Sequence, residues 1–252
     1  MLTTQRAFLR LCKAVSQHLV VYVGGDIQNT PEFMENHAET KQYLEWNLHQ
    51  TSERLQKQFP DADVCVILPC STYQQVWSVF DRFVPSDLTG NPTFCRKARA
   101  LPELCSIIAE FKPTKDVASY ERYTLIGFSK GCIVVNQMFH ELTCAKMRPD
   151  LSSFLIKVRD VYLLDAGHNG KAEIWLTDAE TVDELSLLSN INLHIRTTPY
   201  QMSDPHRPWI RVQAMHFMDA LRRRSVLFDY KNLFDDKPRS IECHFQLLNN
   251  IL

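Results

Sequence analysis

The chain contains no run of about 18 or more apolar residues, which excludes a helical membrane span. Positive charge is not in excess. Lysine and arginine number 28 against 29 acidic residues, a formal net charge of −1, and this argues against a nucleic-acid-binding surface. The one dense basic run, Arg222-Arg223-Arg224, follows a helical pattern, where cations complement the helix dipole. Eight cysteines are present, but none forms the Cys-x-x-Cys spacing of a zinc knuckle or dithiol motif. Several lie in apolar runs, where a reduced thiol packs as a small hydrophobe and fits a reducing compartment. No Gly-x-Gly-x-x-Gly loop and no Walker lysine pattern supports a nucleotide site. Neither a cofactor nor a metal is expected, and there is no repeat or low-complexity linker.

Glycine is scarce as well, with seven in 252 residues. Six of them fall in three short turns, each placed directly after an apolar, strand-like run: Val23-Gly24-Gly25-Asp26, Gly127-Phe128-Ser129-Lys130-Gly131 and Asp165-Ala166-Gly167-His168-Asn169-Gly170. A chain so sparing with glycine uses it where backbone must turn sharply or approach another atom closely.

Around those turns the pattern alternates. Strands are predicted at 18–23, 63–68, 122–126, 157–164 and 191–197, with a short one at 240–243. Helices are predicted at 38–59, 98–111, 130–145, 178–189 and 209–224, with a terminal one after 243. Strands separated by helices imply an α/β domain with a mainly parallel sheet and helices on both faces, here as a single unit over 1–252. Residues 1–18 carry Arg6, Arg10 and Lys13 and no acid. They read either as a mitochondrial presequence or as a helix beside the first strand. Residues 70–97, with Pro85, Gly90 and Pro92 among aromatics, read as a lid over the site or as a packed loop.

The middle turn has the form Gly-x-Ser-x-Gly on a strand-to-helix bend, the setting of a nucleophile elbow. Ser129 is thus the candidate nucleophile. A serine hydroxyl needs a base, and His244 is placed for it, following a short predicted strand and leading a terminal helix. His168, His206 and His216 compete, the last being mid-helix. The acid that orients the imidazole is expected to be Asp204, beyond the fifth strand, with Asp165, at the end of the fourth, as the alternative. Asp165 and His168 also share the i, i+3 spacing of a metal pair, although no third ligand is evident. Oxyanion donors are expected from the backbone N–H groups of Lys130 and Gly25.

Taken together, the stretches Val23-Gly24-Gly25-Asp26-Ile27-Gln28-Asn29, Gly127-Phe128-Ser129-Lys130-Gly131-Cys132, Leu164-Asp165-Ala166-Gly167-His168-Asn169-Gly170, Thr198-Pro199-Tyr200-Gln201, Arg207-Pro208-Trp209-Ile210 and His244-Phe245 resemble, in this order, the mitochondrial α/β-hydrolase-like proteins named after an open reading frame on human chromosome two. Their distant relatives are serine hydrolases of the prolyl-oligopeptidase type. The resemblance implies an α/β-hydrolase fold, a site around Ser129 and a mitochondrial rather than cytoplasmic address. It supplies no substrate. Ala166 stands where the family pattern suggests glycine. The expected activity is cleavage of a small or lipid-like acyl ester, thioester or amide through an acyl-enzyme. The alternative is an inactive hydrolase-like scaffold that binds a mitochondrial partner or lipid.

Overall fold

A computed structural model of the chain describes residues 5–111 and 120–252. Nine strands occur among them: β1 (Ala7–Arg10), β2 (His18–Val23), β3 (Ala62–Ile67), β4 (Ser71–Tyr73), β5 (Trp77–Val79), β6 (Arg122–Phe128), β7 (Val158–Leu164), β8 (Asn192–Thr197) and β9 (Phe228–Asn232). Seven form one sheet in the order β1-β3-β2-β6-β7-β8-β9. All its pairs are parallel except β1 with β3. β4 and β5 make a separate antiparallel hairpin.

Strand residues alternate between two cores because successive side chains point to opposite faces. Leu19, Val21 and Val23 join the larger core with the helices Ala100–Phe111, Cys132–His140 and Trp209–Arg223. Val20 and Tyr22 join the smaller one with Trp46, Leu55 and Phe245, carried on the helices of the other face. A strand buried on both faces reads as a continuous apolar run. For this reason His18–Val23 and Ala62–Ile67 stand out in the sequence.

Register is what assembles the site. Val23 lies opposite Gly127, Phe128 opposite Leu164 and Leu164 opposite Arg196. The carboxyl ends of β2, β6, β7 and β8 therefore finish level. The glycine turns that follow β2, β6 and β7, together with Thr198 after β8, share one edge of the sheet, where open α/β sheets place their ligands.

Several elements depart from the sequence expectations. The N-terminal segment is not helical from Ala7 to Arg10. It forms edge strand β1, and its first four residues lie outside the described residues. Its basic side chains serve the fold, since Arg6 pairs with Glu103 and Glu110, and Arg10 with Glu53. The helix predicted at 38–59 is interrupted, because Asn47 caps a new helix, Leu48–Gln58, by accepting from Gln50 N at 2.9 Å. The strand predicted at 240–243 is the start of the helix Ile241–Gln246, where Ser240 Oγ accepts from Cys243 N at 3.2 Å. Edge strand β9 and the helix Pro149–Lys157 have no counterpart among the predicted elements.

Residues 70–97 hold the β4–β5 hairpin and send Phe80, Phe83 and Val84 into the larger core. Ile27 N donates to Val76 O at 2.8 Å and Ser78 Oγ to Gly25 O at 3.1 Å, tying this segment to the turn after β2. The Ser240 cap gives a direct check. Ser240→Ala should lower unfolding stability by about 1 kcal/mol, seen as a lower denaturant midpoint at unchanged slope, and Ser240→Asp should restore it.

Candidate active site

Ser129 sits where β6 breaks into a 3-10 turn, Ser129–Gly131, that runs into the helix Cys132–His140. Its φ is +52°, a conformation that non-glycine residues seldom adopt and that marks strain held in place by its surroundings. Two glycines permit the bend. A Cβ on Gly131 would run into the carbonyl oxygen of Val23, so only glycine lets the helix start close on β2. A Cβ on Gly25 would stand 2.6 Å from Ser129 Cβ and 3.2 Å from its Oγ. Gly25 thereby leaves the hydroxyl uncovered.

His244 is buried and sits in the helix that Ser240 caps. Its Nδ1 lies 2.7 Å from Asp165 Oδ2. A carboxylate accepts, so this network assigns the proton to Nδ1 and leaves the lone pair on Nε2. The ring stacks on Phe128 at 4.5 Å between centroids and tilts against Tyr200 at 4.6 Å. Asp165 is fully buried at the end of β7 with φ +46°. Its Oδ1 accepts from Thr198 N at 2.8 Å, and Oδ2 accepts from Thr198 Oγ1 at 2.5 Å. Both oxygens are thus engaged, and the carboxylate faces the imidazole of His244 rather than that of His168.

Of the two acids expected from sequence, then, the structure sets Asp165 against His244 and not the preferred Asp204. Asp204 is drawn elsewhere by two cations. Arg207 Nε and Arg239 Nη2 reach its Oδ2 at 2.8 and 2.9 Å, while His206 N donates to Oδ1 at 2.9 Å. Burial pushes the Asp204 carboxyl up, but the Arg207 hydrogen bond and the two positive charges outweigh it and hold the group below its ordinary range.

Ser129 and His244 line one cavity of about 290 Å³, together with Trp77, Tyr200, Arg207 and His168. Among the described residues no hydrogen bond joins Ser129 Oγ to the imidazole. His168 is buried and its Nδ1 accepts from Gly170 N at 3.0 Å. Burial lowers its pKa to about 4, so at neutral pH it is an uncharged wall group. His206 and His216 are exposed.

The turn after β2 corrects one expectation. The Gly25 N–H is given to Gln28 Oε1 at 3.2 Å, an oxygen that also accepts from Tyr22 OH at 2.7 Å. The next amide, that of Asp26, has no hydrogen bond among the described residues and belongs to a residue lining the cavity. The Lys130 side chain is wholly buried. Its Nζ lies 2.7 Å from Asp26 Oδ1 and 2.7 Å from Thr89 O, and stands over the Trp77 ring at 5.3 Å. Asp26 Oδ1 also accepts from Ser78 N at 2.7 Å. Burial raises the Asp26 pKa, and the Lys130 charge partly offsets this. One ammonium therefore joins the serine bend, the β2 turn and the 70–97 segment.

Sequence reasoning passed over Thr198, Gln28, Tyr200, Arg207 and the Asp26–Lys130 pair as working parts. All fall inside stretches singled out above, but hydrogen-bond direction across a sheet edge leaves no local spacing to read.

The C2orf69 family profile matches residues 10–119 and 109–227. The mitochondrial protein C2orf69 homolog of Danio rerio is 31% identical over 261 residues, spanning 95% of this chain and 76% of that protein. The mitochondrial protein C2orf69 of Homo sapiens is 28% identical over 286 residues, covering 92% and 73% respectively. Among solved structures, a novel bacterial esterase superposes with a TM-score of 0.51 at 11% identity, over 97% of this chain and 80% of its own. That likeness establishes the α/β-hydrolase fold.

Proposed function

This chain belongs to the C2orf69 family, and on that premise we propose that it is a serine hydrolase acting on acyl esters, thioesters or amides through an acyl-enzyme on Ser129. The observation that carries the reading is the Asp165–His244 pair at 2.7 Å, which shares a cavity with a serine held at positive φ on a strand-to-helix bend. That bend serves as the nucleophile elbow. The family's address is mitochondrial, as the names of the zebrafish and human relatives state.

In this mechanism Ser129 Oγ attacks the acyl carbon while His244 Nε2 takes the hydroxyl proton. Asp165 holds Nδ1–H and stabilises the imidazolium that forms. The tetrahedral oxyanion is received by the N–H of Lys130 and, in place of that of Gly25, the N–H of Asp26. Collapse breaks the bond to the leaving group, which takes the proton from Nε2. Water then repeats the sequence on the acyl-enzyme, returning the serine proton and releasing the acid. The proton transfer requires Ser129 Oγ and His244 Nε2 to close to hydrogen-bond distance, a contact that catalytic pairs of this kind make in the Michaelis complex. A cavity of about 290 Å³ fits a short or extended acyl chain.

The test is labelling with a fluorophosphonate and mapping of the adduct. The expected result is a single adduct on Ser129, lost when the protein is unfolded first. A folded protein that takes no label overturns the enzyme reading and favours the scaffold, for which the absent Ser129–His244 hydrogen bond would then be the structural correlate.

A further inference from the structure

The Arg207-Pro208-Trp209 stretch has no part in the proton transfers above, yet it puts Arg207 on the cavity wall. Arg207 spends only Nε on a partner, Asp204 Oδ2 at 2.8 Å. Among the described residues its Nη1 and Nη2 donate to nothing. An arginine presents five donors in a rigid fork, so the end suited to gripping an oxyanion pairwise is left open.

The local charge balance agrees. Arg207 and Arg239 converge on the same Asp204 oxygen, so two positive charges face one negative. Arg239 also donates from Nε to Tyr200 O at 3.1 Å. Its guanidinium stands over the Tyr200 ring at 4.7 Å and that of Arg207 at 6.0 Å. The same ring packs against His244. This cationic wall therefore adjoins the imidazole. Two carboxylates line the cavity itself. Asp26 is matched by Lys130, and Glu39 is exposed, where water screens it.

We infer that the acyl substrate carries an anionic oxygen group, carboxylate or phosphate, which the free edge of Arg207 grips while the acyl carbon lies at Ser129. This names the substrate class for the hydrolase reading and rests on it. Tyr200 sets the spacing between the anion and the reacting carbon, and Asp204 with Arg239 fixes the direction in which the fork opens.

The experiment compares three aryl esters of similar length on the full chain: the 4-nitrophenyl half-ester of adipic acid, 4-nitrophenyl 6-phosphonohexanoate, and neutral 4-nitrophenyl heptanoate. The preferred anionic ester should exceed the neutral one in kcat/KM by about ten- to a hundredfold, the range one charge-assisted paired contact supports. Which anionic ester leads tells carboxylate from phosphate. In Arg207→Met the ratio should fall to about one, mainly through KM for the anionic ester. Arg207→Lys keeps a cation on Asp204 but loses the fork, and should also lose most of the preference, which guards against a folding defect in the methionine variant. A wild-type ratio at or below one, or a ratio that survives both variants, overturns the inference and leaves the hydrolase intact. Turnover of none of the esters also overturns it, and Ser129 labelling then reports separately whether the hydrolase reading stands.

Discussion

Asp165→Asn should lower kcat by about 10⁴ with little change in fold, the size of loss seen when a triad acid becomes an amide. Asparagine has the same shape and tolerates the left-handed φ of +46° at this position. Its oxygen can still accept from Thr198 N, which now lies 2.8 Å from Oδ1. The damage is to the proton. An amide NH₂ facing His244 donates, so Nδ1 must accept, and the proton moves to Nε2, where the lone pair is needed. The serine then has no base, although every heavy atom is in place. Asp204→Asn is the counterpart. It touches no atom of the imidazole and should cost at most about tenfold on a neutral ester, because its oxygens serve Arg207, Arg239 and the His206 amide. Rates of fluorophosphonate labelling for the two variants, with thermal melts as a folding control, are sufficient. Equal losses, or a larger loss in Asp204→Asn, would remove Asp165 from the role proposed for it.

That contrast also shows where sequence reading runs out. Both aspartates follow a strand, and both lie in loops that face the same sheet edge. What separates them is register and company. Leu164 opposite Arg196 brings Asp165 beside Thr198, whose amide and hydroxyl both point at it. Two arginines, one of them 35 residues away in sequence, take Asp204. The first has no local spacing, and in the second only the Asp204–Arg207 pair, at i,i+3, does. The doubly buried strands were legible because their apolar runs are continuous, and the Ser129 bend because glycine is confined to the turns. β9 was not, since Phe228-Asp229-Tyr230-Lys231-Asn232 is an edge strand with mostly exposed side chains and reads as polar loop. It is recruited by Arg196, a buried guanidinium that bonds Asp229 O at 3.0 Å, its carboxylate at 2.6 Å and Ile251 O at 3.0 Å. The start of the His244 helix reads as a strand because Ile241 and Cys243 alternate with Glu242 and His244 over so few residues that the Ser240 cap is the one local signal of a helix.

Lys130→Met should be strongly destabilising. Methionine fills the same volume, so the loss is electrostatic: the Asp26 carboxylate keeps its burial and loses the ammonium at 2.7 Å, and Thr89 O loses its donor. Lys130 is wholly buried and the Asp26 side chain 16% exposed, so the loss should lie at the low end of the about 3–5 kcal/mol that breaking a buried pair costs, still a large share of the ~5–15 kcal/mol that holds a domain together. At about 2–4 °C per kcal/mol for a chain of this size, the melting temperature should fall by roughly 6–12 °C. The pH dependence identifies the cause. Burial already raises the Asp26 pKa against the pull of Lys130, and removing that pull raises it further. A carboxyl whose folded pKa lies above its unfolded value binds more protons when folded, so the variant regains stability as pH falls toward the unfolded value near 4. The gap to wild type should therefore narrow on acidification. Asp26→Asn in the Lys130→Met background removes the unpaired charge and should recover much of the stability at neutral pH, a coupling that a double-mutant cycle measures. It should not recover the rate. The amide of residue 26 is positioned by the ammonium that ties this turn to Thr89 and to the serine bend, so kcat remains depressed in the double variant while its melting temperature returns. Parallel recovery of both quantities would mean that Lys130 serves stability alone.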